Sequence, residues 1–207
     1  MKPPRLVALS PGTLRGEEAT GFAKDAARAI DRGLRGILLR EPAMGDREFL
    51  ALASELRKVL EPHREAWLGL HDRPHLASAV GAQAVHLGWR SLAPREIRPW
   101  LDESISIGLS THAGDDPHTW QDADYLFHGP VFAVDKPFAR EPVGFAGLRI
   151  ATERSAVPVW ALGGLKPEHA RDALAAGAAG VATLSGIFGS QDVAEAAGRW
   201  LEALSGA

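Results

Sequence analysis

Pro158-Val159-Trp160-Ala161-Leu162-Gly163-Gly164, followed at Leu174-Ala175-Ala176-Gly177-Ala178 and Gly180-Val181-Ala182-Thr183-Leu184-Ser185-Gly186, holds one strand, one helix and a second strand. The first run is short, apolar and stopped by two glycines. A helix is expected from Pro167 to Ala176, because proline suits the first helical turn. Gly177 then suits the left-handed residue that ends a helix, and the next strand begins about three residues later. Both strands are apolar along most of their length, as parallel strands covered on both faces must be.

The same pattern recurs along the chain. Ala29-Ile30-Asp31-Arg32-Gly33 precedes a strand over Gly36–Arg40, and Ala77-Ser78-Ala79-Val80-Gly81-Ala82 precedes one over Ala84–Gly88. Further strands are expected over Leu6–Ser10, Trp67–Asp72, Ser104–Ser110 and Tyr125–Phe132, which makes eight. Helices are expected over Glu17–Arg32, Asp46–Leu60 (with Asp46 as its cap), Pro74–Val80, Pro94–Leu101, Asp116–Gln121, Phe145–Arg154 and Val193–Leu204. In the Asp46–Leu60 helix, Phe49, Leu50, Ala53, Leu56 and Leu60 form the apolar face. Eight such units close an α/β fold as a single (β/α)8 TIM barrel, here one domain over residues 1–207. An open doubly wound sheet is the rival, and no Gly-x-Gly-x-x-Gly turn follows the first strand to support it.

The 207 residues carry a net charge of -3, so nothing favours nucleic acid or an anionic membrane as partner. With no cysteine, disulfides, thiolate catalysis and Cys-zinc sites are excluded. The N-terminus lacks the apolar run of a signal peptide, and a cytoplasmic location is the expectation. Six tryptophans would mark an interface if exposed, which leaves a homo-oligomer open.

Barrel chemistry sits at the C-terminal strand ends. Gly163-Gly164 and Ser185-Gly186 follow strands seven and eight, where backbone N–H groups can approach a phosphate; their paired position favours this reading over tight turns alone. Arg40 ends an apolar strand and needs an acid, either Glu41 or Asp72, or an anionic ligand. Asp72 has a carboxylate suited to Mg2+, or to a salt bridge with Arg73. His128 shares a strand face with Leu126 and Pro130. If that face points inward, its imidazole can move protons; otherwise it is a core histidine. His86 and His112 carry the same ambiguity.

Leu39-Arg40-Glu41, His71-Asp72-Arg73, Val85-His86-Leu87-Gly88, Gly108-Leu109-Ser110-Thr111-His112, Gly129-Pro130-Val131-Phe132, Ala161-Leu162-Gly163-Gly164 and Ser185-Gly186-Ile187-Phe188 occur in the order found in a known family. The chain resembles thiamine phosphate synthase and its relative, the TenI thiazole tautomerase. The resemblance implies a phosphorylated thiazole as the small-molecule partner. For a synthase it also implies a pyrimidine carrying pyrophosphate, with Mg2+ assisting. Arg40, Asp72, Ser110, Lys136, Gly164 and Ser185 match residues that the synthase uses.

The departures are local. Where the synthase has Gln-x-Arg-Glu-Lys, this chain has Leu38-Leu39-Arg40-Glu41-Pro42; Asn-Asp becomes His71-Asp72, and Gly-Gln-x-Asp becomes Gly88-Trp89-Arg90-Ser91. An amide, a lysine and the second metal-binding carboxylate are thus replaced, while the phosphate corner is kept. The expectation drawn from this is a TenI-type proton transfer needing no cofactor, with His128, Arg40 and Asp72 as catalytic residues. Ser110, Lys136, Gly163, Gly164, Ser185 and Gly186 would then hold the phosphorylated ligand. The TenI histidine after the strand-six glycine is Pro130 here, and His128 stands two residues before it. The alternatives are a synthase with Mg2+ at Asp72, and a non-catalytic phosphate-ligand-binding regulator.

Overall fold

The computed structural model describes residues 1–134 and 140–206. The eight strands are β1 (Leu6–Leu9), β2 (Gly36–Leu39), β3 (Trp67–His71), β4 (Ala84–Leu87), β5 (Ser106–Thr111), β6 (Tyr125–His128), β7 (Val159–Leu162) and β8 (Gly180–Thr183). All pair in parallel, each with its neighbours in sequence, and β8 closes on β1. The helices are α1 (Glu17–Asp31), α2 (Asp46–Leu60), α3 (Pro74–Val80), α4 (Pro94–Ile97), α5 (Gly144–Arg154), α6 (Ala170–Ala175), α7 (Ser185–Phe188) and α8 (Val193–Ser205). The expected (β/α)8 barrel is the fold.

Gly33, Gly81 and Gly177 all adopt positive φ at the ends of their helices, as the repeated pattern requires. The helix ring is thinnest after β5, where the expected Asp116–Gln121 helix is a single 3-10 turn, Pro117–Trp120. The cap of α2 is Gly45, not Asp46; Asp46 is the first helical residue and pairs with Arg73 at 3.0 Å and His75 at 2.9 Å. Leu50 is only partly buried, and Leu52 takes its place on the inner face of that helix.

The two faces of the barrel wall are filled differently. Outward residues such as Ala8, Ile37, Leu39, Leu70, Val85, Ile107, Leu126 and Val181 pack against the helices. Inward residues form a second cluster containing Val7, Leu38, Trp67, Tyr125, Phe127 and Trp160. Large rings fit because small residues face them: a Cβ at Gly69 would meet Trp67, one at Gly108 would meet Tyr125, and one at Gly180 would meet Trp160. Each fully buried large side chain contributes on the order of 1.5–3 kcal/mol, and these rings fill the lower barrel. The floor of the mouth is therefore set by Phe127 and by His86, which lie just above them. Of the six tryptophans, Trp89 and Trp100 are exposed and the other four are buried. Among the described residues, no helix is long and apolar enough to cross a membrane.

Candidate functional site

One cavity of about 790 Å³ opens at the C-terminal ends of the strands, and every strand or the loop after it contributes to its wall. That volume lies in the range of small-molecule sites. Its lining includes Arg40, Ser110, Gly163, Gly164 and Ser185, so the structure brings together five of the expected site residues.

On the β7/β8 side, Gly163 and Gly164 take φ values of 94° and 69° in succession. Val131 and Phe132 donate their amides to the Leu162 and Gly163 carbonyls, which presses the loop against Phe132. A Cβ at Gly164 would strike the Phe132 backbone. The loop is thus held in a conformation open only to glycine. Among the described residues, the amides of Gly163, Gly164 and Ser185 donate to no protein acceptor. They stand at the cavity wall as donors for an anion.

Gly186 does not belong to this group. Its amide donates to Thr183 Oγ1 at 3.1 Å, and it lines a smaller cavity with Leu165, Lys166 and Trp200. A Cβ there would strike Thr183 and the Trp200 indole, so close packing accounts for this glycine.

The floor is polar. His86 points inward from β4, 1% exposed, with its ring stacked 4.3 Å from Phe127. Its Nε2 lies 2.9 Å from Ser110 Oγ and its Nδ1 lies 3.3 Å from Tyr125 Oη. Burial first, then the nearby His71 and Arg40, hold its pKa well below the usual histidine range. His86 is neutral at physiological pH.

Across the mouth lie the residues around Arg40. Glu41 is 2% exposed, yet it does not pair with Arg40. Its Oε1 and Oε2 each accept a backbone amide at 2.8 Å, from Gly12 and Leu14, and so clamp the loop after β1. Asp72 does not pair with Arg40 either. Its Oδ1 accepts from Ser91 Oγ at 2.5 Å, and its Oδ2 lies 3.3 Å from His71 Nδ1. Among the described residues, the Arg40 guanidinium has no hydrogen-bond or ion-pair partner, and it lines the cavity. Neither of the two acids weighed for Arg40, Glu41 and Asp72, holds it.

A resident Mg2+ fits this donor set poorly. One carboxylate is present, that of Asp72, and it is already bonded to the Ser91 hydroxyl. Among the described residues, no three His, Cys, Asp or Glu side chains cluster to hold a metal. Mg2+ needs oxygen ligands in near-octahedral geometry, usually from carboxylates and substrate phosphates; Asp72 alone supplies one point of attachment.

His128 does not face the cavity. Thr111 and His128 are register partners, and in β6 Tyr125 and Phe127 face inward, which turns Leu126 and His128 outward. His128 lies 4% exposed behind the wall, with Nδ1 2.9 Å from Thr111 Oγ1 and its ring 6.2 Å from that of Trp120. It does not line the cavity. Asp72 also lies outside the cavity lining, behind His71. Lys136 lies outside the described residues.

Sequence reasoning missed Arg140 and Trp89, which line the cavity rim. Arg140 lies 3.7 Å from Asp115 and 5.6 Å from the Trp89 ring, and the Arg90 guanidinium lies 4.6 Å from the same ring. Neither residue belongs to a regular element, so periodicity carried no signal for them.

A family model described as "Thiamine monophosphate synthase" matches residues 10–187. A putative thiamine-phosphate synthase of Geobacter sulfurreducens is 38% identical over 172 residues, covering 82% of this chain and 80% of the relative. The thiamine-phosphate synthase of Albidiferax ferrireducens is 36% identical over 179 residues, covering 85% and 81%. The solved thiamine phosphate pyrophosphorylase of Pyrococcus furiosus superposes with a TM-score of 0.85 at 26% identity, over 98% of this chain and 96% of that one. With the match running from the end of β1 into α7, the chain belongs to the thiamine monophosphate synthase family.

Proposed function

We propose that this chain is a transferase of the thiamine-phosphate synthase type, which joins a phosphorylated thiazole to a hydroxymethylpyrimidine pyrophosphate and releases pyrophosphate. The observation that carries this reading is the presence of two separate anion-suited poles in one cavity. The amides of Gly163, Gly164 and Ser185 stand on one side and the guanidinium of Arg40 on the other, each without a protein partner among the described residues, with Arg140 at the rim. A tautomerase acting on a thiazole phosphate has one phosphate to hold, whereas the transfer reaction has a phosphate and a pyrophosphate.

In this reading the thiazole phosphate lies in the β7/β8 corner. The bond between the pyrimidine's methylene carbon and the pyrophosphate oxygen breaks with its electron pair on oxygen, and the thiazole nitrogen forms the new bond to that carbon. Arg40 meets the charge that grows on the leaving group, a stabilisation aimed at the transition state. Ser110, from the cavity floor, offers a hydroxyl to the same ligands. The proton-transfer alternative depends on His128, and the orientation of that ring away from the cavity removes its support.

The test is formation of thiamine phosphate from the two substrates in buffer containing Mg2+. Turnover supports the transferase. Its absence, accompanied by exchange of thiazole protons, would overturn this reading in favour of the tautomerase. Binding of thiazole phosphate with neither reaction would leave a ligand-binding regulator.

A further inference from the structure

The hydrogen bonds beneath the cavity have a direction. Tyr125 is fully buried, ringed by Trp67, Phe127 and Trp160 at centroid distances of 6.0, 5.4 and 5.9 Å. Among the described residues, its hydroxyl has one hydrogen-bond partner, His86 Nδ1. A phenolic proton buried with one partner must be donated to it, since otherwise the proton is left without an acceptor. A neutral imidazole has one N–H and one bare nitrogen. If Nδ1 accepts, the ring proton sits on Nε2 and is donated to Ser110 Oγ, 2.9 Å away.

We propose that Tyr125 and His86 act as positioning residues that commit the Ser110 hydroxyl to donate into the cavity. With a lone pair of Oγ occupied by the His86 N–H, and no other protein acceptor within reach of Ser110 among the described residues, the hydroxyl proton is free for the ligand. Ser110 then selects a hydrogen-free acceptor, such as a phosphate oxygen or an unprotonated ring nitrogen, and disfavours an N–H or protonated oxygen at that point. The reverse arrangement, with Nδ1–H donating to Tyr125, buries the phenolic proton without an acceptor and makes Ser110 donate to His86. The shifted pKa values agree with the first arrangement: burial holds His86 neutral and, with Asp124 adding, holds Tyr125 protonated. Which substrate atom meets Ser110 rests on the transferase reading; the direction of the hydrogen bonds does not.

The deciding measurement is the tautomer of His86, read by long-range ¹H–¹⁵N NMR correlations on histidine-labelled protein, with His86→Asn to assign the signal. The expected result is the Nε2–H form in the wild type, with the Nδ1–H form gaining population in Tyr125→Phe. A wild-type ring protonated on Nδ1 would overturn the proposal. Thiamine phosphate affinity, measured by calorimetry, should fall about 10-fold in Ser110→Ala, recover in Ser110→Thr, and fall several-fold in Tyr125→Phe. Tyr125→Phe should cost nothing further in the Ser110→Ala background, because both act through one hydroxyl. Fully additive losses would also overturn it. If thiamine phosphate does not bind the wild type, the transferase reading fails, and the tautomer still decides the direction of the hydrogen bonds.

Discussion

Replacing His128 with asparagine tests both its burial and its absence from the site. The ring is 4% exposed, and its pKa is lowered from 6.5 to about 4 by burial first and then by the neighbouring His112, with Asp115 opposing. In the unfolded chain the imidazole titrates near 6.5. The unfolded state therefore binds more protons between pH 6.5 and about 4, and stability falls as pH falls through that window. Those two values make the His128 contribution to the loss about 2 kcal/mol between pH 7 and pH 5, and about 3 kcal/mol over the whole window. Asparagine does not titrate, and its amide reaches the position of Nδ1 to keep a bond to Thr111 Oγ1. It loses the ring's contact with Trp120, so His128→Asn should be less stable by about 1–2 kcal/mol at pH 7. By pH 5 the gap should have closed or reversed, because only the wild type carries the His128 penalty. Urea unfolding at both pH values gives the double difference, in which the other titrating groups cancel. Parallel stability–pH profiles would refute the burial argument. The same variant should keep kcat and KM within about 3-fold of wild type, a bound well below the 10²–10⁴-fold contribution of a general acid or base. A much larger loss, in protein shown to be folded, would return His128 to the mechanism.

Three further outcomes are expected. Arg40→Ala should lower kcat/KM about 10- to 150-fold, the worth of one charge-assisted hydrogen bond, without lowering the melting temperature of the ligand-free protein, because the guanidinium holds no protein group among the described residues. Gly164→Ala should abolish tighter binding of thiazole phosphate over the unphosphorylated thiazole in calorimetry and cost on the order of 1–3 kcal/mol of stability, since its φ of 69° and its contact with Phe132 both exclude a side chain. MgCl2 alone should not raise the melting temperature, because Asp72 is a single carboxylate tied to Ser91; a rise that disappears in Asp72→Asn would show a resident metal site.

The fold could be read from the sequence because the glycines at 33, 81 and 177 require positive φ at helix ends, and each is followed by an apolar run. The strand ends were harder. β6, expected to reach Phe132, stops at His128, and the run Gly180–Ser185 stops as a strand at Thr183 and opens α7 at Ser185. The phosphate corner was legible because paired glycines have a backbone reason that survives without coordinates. Histidine orientation was not. In a barrel wall both faces are apolar, so alternation separates Leu126 and His128 from Tyr125 and Phe127 without saying which pair faces in. The distinguishing signal was steric: an inward aromatic needs a small residue beside it, and Gly108 lies opposite Tyr125 while Gly180 lies opposite Trp160. That criterion puts Phe127 inward and sends His128 out.

At the mouth, two of the residues that depart from the resemblance, His71 and Ser91, are linked through Asp72. Ser91 donates to Asp72, whose other oxygen faces His71, so this side of the mouth satisfies itself. Burial, opposed by Asp72, lowers the His71 pKa to about 4, so that ring adds no positive charge at neutral pH. Glu41 is used to clamp the loop after β1. Glu41 and Asp72 are thereby occupied, and Arg40 is left as a cation facing the cavity without a counter-charge among the described residues. A buried or half-buried guanidinium in that position is costly unless an anion arrives. The pole opposite the glycine corner is therefore cationic through the protein's own side chain, that of Arg40.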